Sequence, residues 1–117
     1  MSDLLAKMQS ADKLDLKAVE VPEWKMTVYI KQLTAGARDS LDSEMYELKQ
    51  KGGNPLDNMR SRFLARVLCD EKGQLLVKPS EFGKLAELSA KPLERIFEAA
   101  QEHCKLNADA IEETAKN

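Results

Sequence analysis

The chain reads as an α+β fold: an N-terminal β-hairpin, with room for a third short strand, packed against four to five helices that make up most of the structure. Three observations predict this. Apolar and polar residues alternate from Trp24 to Lys31 with the period of a half-buried strand. From Ala37 onward apolar residues recur at three- and four-residue spacing, which is the stripe of a helix. Proline, glycine and asparagine fall at the joints between these runs.

Taken in order, residues 3–11 carry Leu4, Leu5 and Met8 at helical spacing, on a segment too short to be a stable helix alone. Residues 1–12 are therefore expected to form a mobile arm that orders on a partner. Leu14, Leu16, Ala18, Val19 and Val21 suggest an extended run, punctuated by Pro22-Glu23. Trp24, Met26, Val28 and Ile30 then face one way, and Lys25, Thr27, Tyr29 and Lys31 the other. Two such runs close in sequence pair as an antiparallel hairpin, and Leu33 drops onto the core.

Thr34 is placed to cap a helix whose stripe is Ala37, Leu41, Met45 and Leu48, ending near Gln50 at Lys51-Gly52-Gly53. Asn54-Pro55 restarts the chain as cap and first helical residue. The next helix is expected to turn Leu56, Met59, Phe63, Leu64, Val67 and Leu68 inward, with Arg60, Arg62 and Arg66 on a solvated face. Asp70-Glu71-Lys72-Gly73 reads as a turn, and Leu75-Leu76-Val77 as the candidate third strand. Pro79-Ser80 opens a helix through Phe82, Leu85, Ala86 and Leu88. After a break at Ser89 to Pro92, Leu93, Ile96, Phe97, Ala100 and Cys104 form another stripe. Asn107 caps a last, acidic helix over 107–117, anchored only by Ile111. The whole of 1–117 is expected to be one domain.

Composition narrows the function. With 117 residues, 43% hydrophobic and 32% charged, the chain can bury a core without disulfides or metal. A net charge of −2 leaves no cationic excess to neutralise phosphates, which disfavours nucleic acid as the main partner. Cys69 and Cys104 fall on apolar helix faces and read as buried thiols, in keeping with a reducing compartment. The early acids of the N-terminus do not fit a signal peptide, and no run approaches the roughly 18 apolar residues of a membrane span.

Catalysis lacks its parts. His103 and Cys104 are neighbours in sequence, so on a helix they point about 100° apart and form no dyad; the histidine reads as a surface residue. Two cysteines and one histidine supply no evident zinc set, and no calcium-loop pattern occurs. Gly52-Gly53 is a helix stop without the spacing of a phosphate loop. No enzyme, no metal and no cofactor is expected; binding is.

Three stretches together carry a resemblance. Trp24-Lys25-Met26-Thr27-Val28-Tyr29-Ile30-Lys31-Gln32-Leu33-Thr34, continuing to Arg38-Asp39, resembles the first half of the tail assembly chaperones of bacteriophages with long non-contractile tails. Arg62 through Cys69-Asp70-Glu71-Lys72-Gly73 resembles their middle helix and acidic turn. Leu93 to Phe97 and then Asn107 to Asn117 resembles their closing helices. The likeness runs from about Leu14 onward and departs at His103-Cys104, where many relatives have Leu-Asn.

The resemblance implies an assembly factor of the host cell cytoplasm. Such a factor binds the tape measure protein, recruits subunits of the tail tube protein around it, and is absent from the mature virion. Self-association is compatible with that role; membrane and nucleic acid are not expected partners. The partner-binding residues expected here are Leu4, Leu5 and Met8 of the arm, with Trp24 and Tyr29 placed by the hairpin pattern at a sheet edge. Family members are typically followed by a second reading frame reached by ribosomal frameshifting. GCA AAA AAC would encode Ala115-Lys116-Asn117 and contain a slippery stretch, so the chain is expected to be the shorter of two products. The residues alone leave two other classes open: a structural head–tail or tail component retained in the particle, and a small regulatory or nucleic-acid-binding protein with a basic groove.

Overall fold

Five short helices and a three-stranded antiparallel sheet make up the computed structural model, which describes residues 2–12, 15–54 and 58–104. In chain order the elements are α1 (Ser2–Ala11), β1 (Lys17–Val21), a 3₁₀ turn (Pro22–Trp24), β2 (Met26–Ile30) and α2 (Ala35–Gln50). They are followed by α3 (Met59–Leu64), β3 (Leu68–Cys69), a second 3₁₀ turn (Pro79–Glu81), α4 (Phe82–Ala86) and α5 (Ala90–His103). The fold is α+β, as the sequence predicts.

β1 and β2 form the expected hairpin, with Lys17 opposite Ile30, Val19 opposite Val28 and Val21 opposite Met26. Its inner face, Val19, Val21, Val28 and Ile30, is buried in one cluster with Phe63, Leu64, Val67, Ile96 and Ala100. Phe63 meets Phe97 edge to face at 5.7 Å, the arrangement that ring quadrupoles favour. α5 supplies its whole predicted stripe, with Cys104 half-buried behind it. Pro92 fits in the first turn, where its missing N–H has no helical acceptor to lose.

α2 begins where the sequence places it: the Thr34 hydroxyl accepts from Ala37 N–H at 3.1 Å. It ends at Lys51, and Gly52 takes the left-handed conformation at φ 81° while Gly53 N–H returns to Leu48 C=O at 2.7 Å.

The hairpin's second strand is shorter than its alternation suggests. Trp24 lies in the 3₁₀ turn, half-buried against the core, and Lys25 is left-handed at φ 51°. That kink interrupts the alternation, and Met26 stays 53% exposed.

The middle of the chain departs most. α3 spans only Met59–Leu64 and is preceded by Asn58 in the left-handed region, not capped by Asn54. Pro55 and Leu56 lie outside the described residues, as do Leu14 and the helix expected over 107–117. Every residue from Ser61 to Cys69 is buried, so this segment is enclosed on all sides and has no solvated face. Arg62 and Arg66 are therefore inside, at 7% and 4% exposure, contrary to the outward placement that helical spacing predicts.

The third strand is Leu68–Cys69, paired to β2 with Tyr29 opposite Cys69 and Ile30 opposite Leu68. Leu75-Leu76-Val77 does not form it; only Leu75 bridges back to Cys69. The cause is the tight turn at Asp70, whose carboxylate holds the N–H groups of Lys72 and Gln74 at 2.8 and 3.0 Å. Leu88, expected inside, is 42% exposed because α4 ends at Ala86.

Candidate partner-binding surface

The sheet has two unlike faces. Side chains alternate along a strand, and cross-strand partners share a face. The inner face is covered by α5 and the core; the outer face carries Ala18 beside Tyr29 and Glu20 beside Thr27. Against this outer face the turn after β3 raises a wall. Between them lies a groove of about 510 Å³ lined by Met26, Thr27, Tyr29, Cys69, Lys72 and Leu76, among others.

The wall is stiff because Asp70 is bonded within it at both ends. Its N–H goes to Gln74 C=O at 2.9 Å, and its C=O accepts from Gly73 N–H at 3.0 Å. The N–H groups of Gln74 and Lys72 hold the Asp70 carboxyl below its ordinary range. At the floor, Cys69 is buried and its thiol faces Tyr29 C=O at 3.5 Å; desolvation pushes that thiol up, tempered by Lys31. A thiol kept protonated behaves as a small apolar group rather than a nucleophile.

The residues expected to bind a partner are distributed unevenly. Tyr29 stands in the groove, half-buried, but on the central strand of the order β1-β2-β3 and not at an edge. Trp24 lines no part of that groove, because much of its indole packs on the core. Leu4, Leu5 and Met8 lie within one 100° sector of α1 and are 66%, 55% and 60% exposed. Every described side chain of that helix is exposed. Sequence reasoning missed Met26 and Leu76, which are 53% and 50% exposed at the groove. The signal for Leu76 was present: an apolar triplet one residue after a four-residue polar turn has little strand partner to bury it.

Two polar clusters lie elsewhere. Glu44 on α2 bridges Arg62 and Arg66, the latter at 2.6 Å. Arg66 also donates to Arg62 C=O at 2.8 Å and to Ser40 Oγ at 3.0 Å, and Arg62 lies 4.0 Å above the Phe82 ring. These guanidiniums fasten α2 to α3 and the buried segment that follows it; enclosed as they are, they form no cationic stripe for a partner. Arg60 alone of the three faces out, 3.5 Å from Glu94. At the opposite end of α5, His103 is largely covered rather than a surface residue, its ring nitrogen 2.7 Å from Asp15 C=O. Gln32 ties the same corner, donating to His103 C=O at 2.9 Å and to the Asp15 carboxylate at 3.3 Å. Among the described residues, no three of His, Cys, Asp and Glu are grouped to hold a metal ion. No described helix is long and apolar enough to cross a membrane.

What the groove offers is apolar contact on a stiff floor, and α1 separately offers an exposed apolar sector. The fold is similar to a solved structure, that of the bacteriophage HK97 tail assembly chaperone. The TM-score is 0.58 at 21% sequence identity, covering 92% of this chain and 97% of that one, and it shows that the two share a fold. No family model and no curated protein matches the chain.

Proposed function

We propose that this protein is a tail assembly chaperone of a bacteriophage, acting by binding and not by catalysis. The observation that carries this is the shared fold along nearly the full length of both chains, in the order the sequence phrases around Trp24, Asp70 and Leu93 lead one to expect. The surface supports it. Leu4, Leu5 and Met8, exposed within one sector of α1, and separately Met26 and Leu76 at the groove are apolar surface available for protein contact.

In this role the chain works in the host cytoplasm. It covers apolar helical segments of the tape measure protein, gathers tail tube subunits around them, and leaves before the virion is complete. Apolar side chains of a client helix suit a groove of this size with an aromatic at its centre. The same proposal makes the chain the shorter of two products of its gene, which the message across Ala115-Lys116-Asn117 tests directly.

Co-expression with the tape measure protein of the same phage is the decisive experiment. The expected result is that the tape measure protein becomes soluble and co-purifies with this chain, while purified virions contain none of it. A tape measure protein that stays insoluble and unbound refutes the proposal. Recovery of the chain from purified virions would instead identify a structural tail component.

A further inference from the structure

We propose that the free edge of β1 is a docking site for an extended segment of a partner protein, which joins the sheet as an added antiparallel strand. The segment it fits carries lysine or arginine, then an aliphatic residue, an aromatic residue and an acid. This goes beyond the chaperone role: it concerns a different surface from the groove and is tested without any tail protein.

The edge follows from the ladder. Lys31 N–H bonds to Val67 C=O at 2.9 Å, so the odd-numbered residues of β2 turn their backbone groups toward β3. Its even-numbered residues, Met26, Val28 and Ile30, therefore bond Val21, Val19 and Lys17 of β1. That leaves the N–H and C=O groups of Ala18 and Glu20 pointing away from the sheet. β1 ends the strand order β1-β2-β3, and both residues are exposed. Among the described residues, neither has a hydrogen-bond partner for those groups. Donors and acceptors repeated every two residues, about 7 Å along a strand, are the template for strand addition.

The side chains around the edge choose the occupant. Lys17, Val19 and Val21 share the inner face with Ile30 and Val28, while Ala18 and Glu20 lie on the outer one. Lys17 and Glu20 are exposed and form no ion pair among the described residues. An antiparallel neighbour bonded to Ala18 and Glu20 sets a base opposite Glu20 and, three residues on, an acid opposite Lys17. Between them an aliphatic side chain meets Val19 on the inner face. An aromatic ring covers small Ala18 on the outer face, next to Tyr29. The inward side chain has somewhere to go. Arg95 pairs with Glu23 beyond one end of β1 and His103 contacts Asp15 before the other, so the stripe Arg95, Ala99, His103 of α5 runs along this strand. Its middle member is small and only half-buried.

A second copy of the chain fits this edge badly. Two β1 strands bonded through their outward groups set Ala18 opposite Glu20, Ala18 opposite Ala18, or Glu20 opposite Glu20. In none of these registers does Lys17 face Glu20, because bonded registers match residues an even number apart and these two are three apart. The charges thus guard the edge against its own kind, as charges on natural sheet edges do, and leave it open to a segment with the complementary pair.

Chemical shifts and amide exchange of the intact chain test this, with the blocked peptide Thr-Lys-Val-Tyr-Glu-Thr as probe. Millimolar peptide is expected to shift the Ala18 and Glu20 amides most and to slow their exchange about threefold or more. A peptide with lysine and glutamate interchanged should bind about fivefold more weakly, since both cross-strand pairs become like-charged. In the chain carrying Lys17→Glu with Glu20→Lys, both exposed and clear of the core, that preference should invert. The proposal is overturned if millimolar peptide leaves the two amides unchanged, if the interchanged peptide binds equally well, or if the double variant keeps the original preference. It is equally overturned if Ala18 and Glu20 gain protection as the chain alone is concentrated, which would make the occupant a second copy.

Discussion

Glu44 is the residue on which most of the buried charge depends. Two guanidiniums, Arg62 and Arg66, share its carboxylate, and Arg66 Nε has no further hydrogen-bond partner among the described residues. Removing one member of a buried ion group leaves the others desolvated and unpaired, which costs about 3–5 kcal/mol. Glu44→Ala should therefore lower the urea midpoint strongly. Arg60→Ala, which loses only an exposed pair with Glu94, should change stability by about 0–1 kcal/mol. Carboxyls and thiols shape the pH dependence in opposite directions. Glu23 is held below its ordinary value by its own backbone N–H and then by Arg95, Asp70 by Gln74 and Lys72, and Glu81 by Lys84 and the Lys78 N–H. A carboxyl depressed in the folded state binds fewer protons there than in the unfolded chain. Its stabilisation is complete above the unfolded value, near 4, and is lost as pH falls through the folded one. Burial raises the thiols of Cys69 and Cys104, so stability is lost as pH rises above their ordinary 9.0. Urea midpoints measured across pH should be flat between about 5 and 8 and fall on both sides.

At the scale of elements, α2 gives the cleanest local test. Its first turn rests on one side-chain acceptor, so Thr34→Ala should cost about 1 kcal/mol, read as a shift of the urea midpoint at unchanged slope. This helix, the hairpin and α5 were legible in the sequence for a shared reason: each has one wet face and one dry face, and the contrast prints a period. The segment from Ser61 to Cys69 has no wet face, so its period says nothing. Arginine inside a protein then looks like arginine outside it, because the compensating carboxylate at Glu44 lies on a different helix. β3 was misplaced for a related reason. A two-residue strand carries no alternation, and Leu75-Leu76-Val77 is the more strand-like text, but the turn at Asp70 aligns only Leu75 with the sheet. At the candidate surface, Tyr29 and the arm leucines could be read as polar-side or unburied residues. Met26 could not, because the left-handed turn at Lys25 that exposes it uses a residue type with no special preference for that conformation.

Across the whole molecule, the contacts that close the fold join distant parts of the sequence. Arg95 pairs with Glu23, Cys104 Sγ faces Lys31 C=O at 3.6 Å, and the corner of Asp15, Gln32 and His103 gathers the base of the arm, the exit of β2 and the end of α5. Asp15 and His103 are 88 residues apart. The inner face of the hairpin has its cover in α5, so the first strands made are among the last to be buried. That has a consequence for how the protein is born. Ribosomes add about 5–20 residues per second, and the 73 residues between Lys31 and Cys104 take roughly 4–15 seconds. For that interval Val19, Val21, Val28 and Ile30 lack the α5 side of their cover. Nascent chains stalled before Ala90 has left the ribosome should be cut within the hairpin by a brief protease pulse, and chains stalled after the whole of α5 has emerged should resist it. During its own translation, this protein needs shelter of the kind proposed here for its clients.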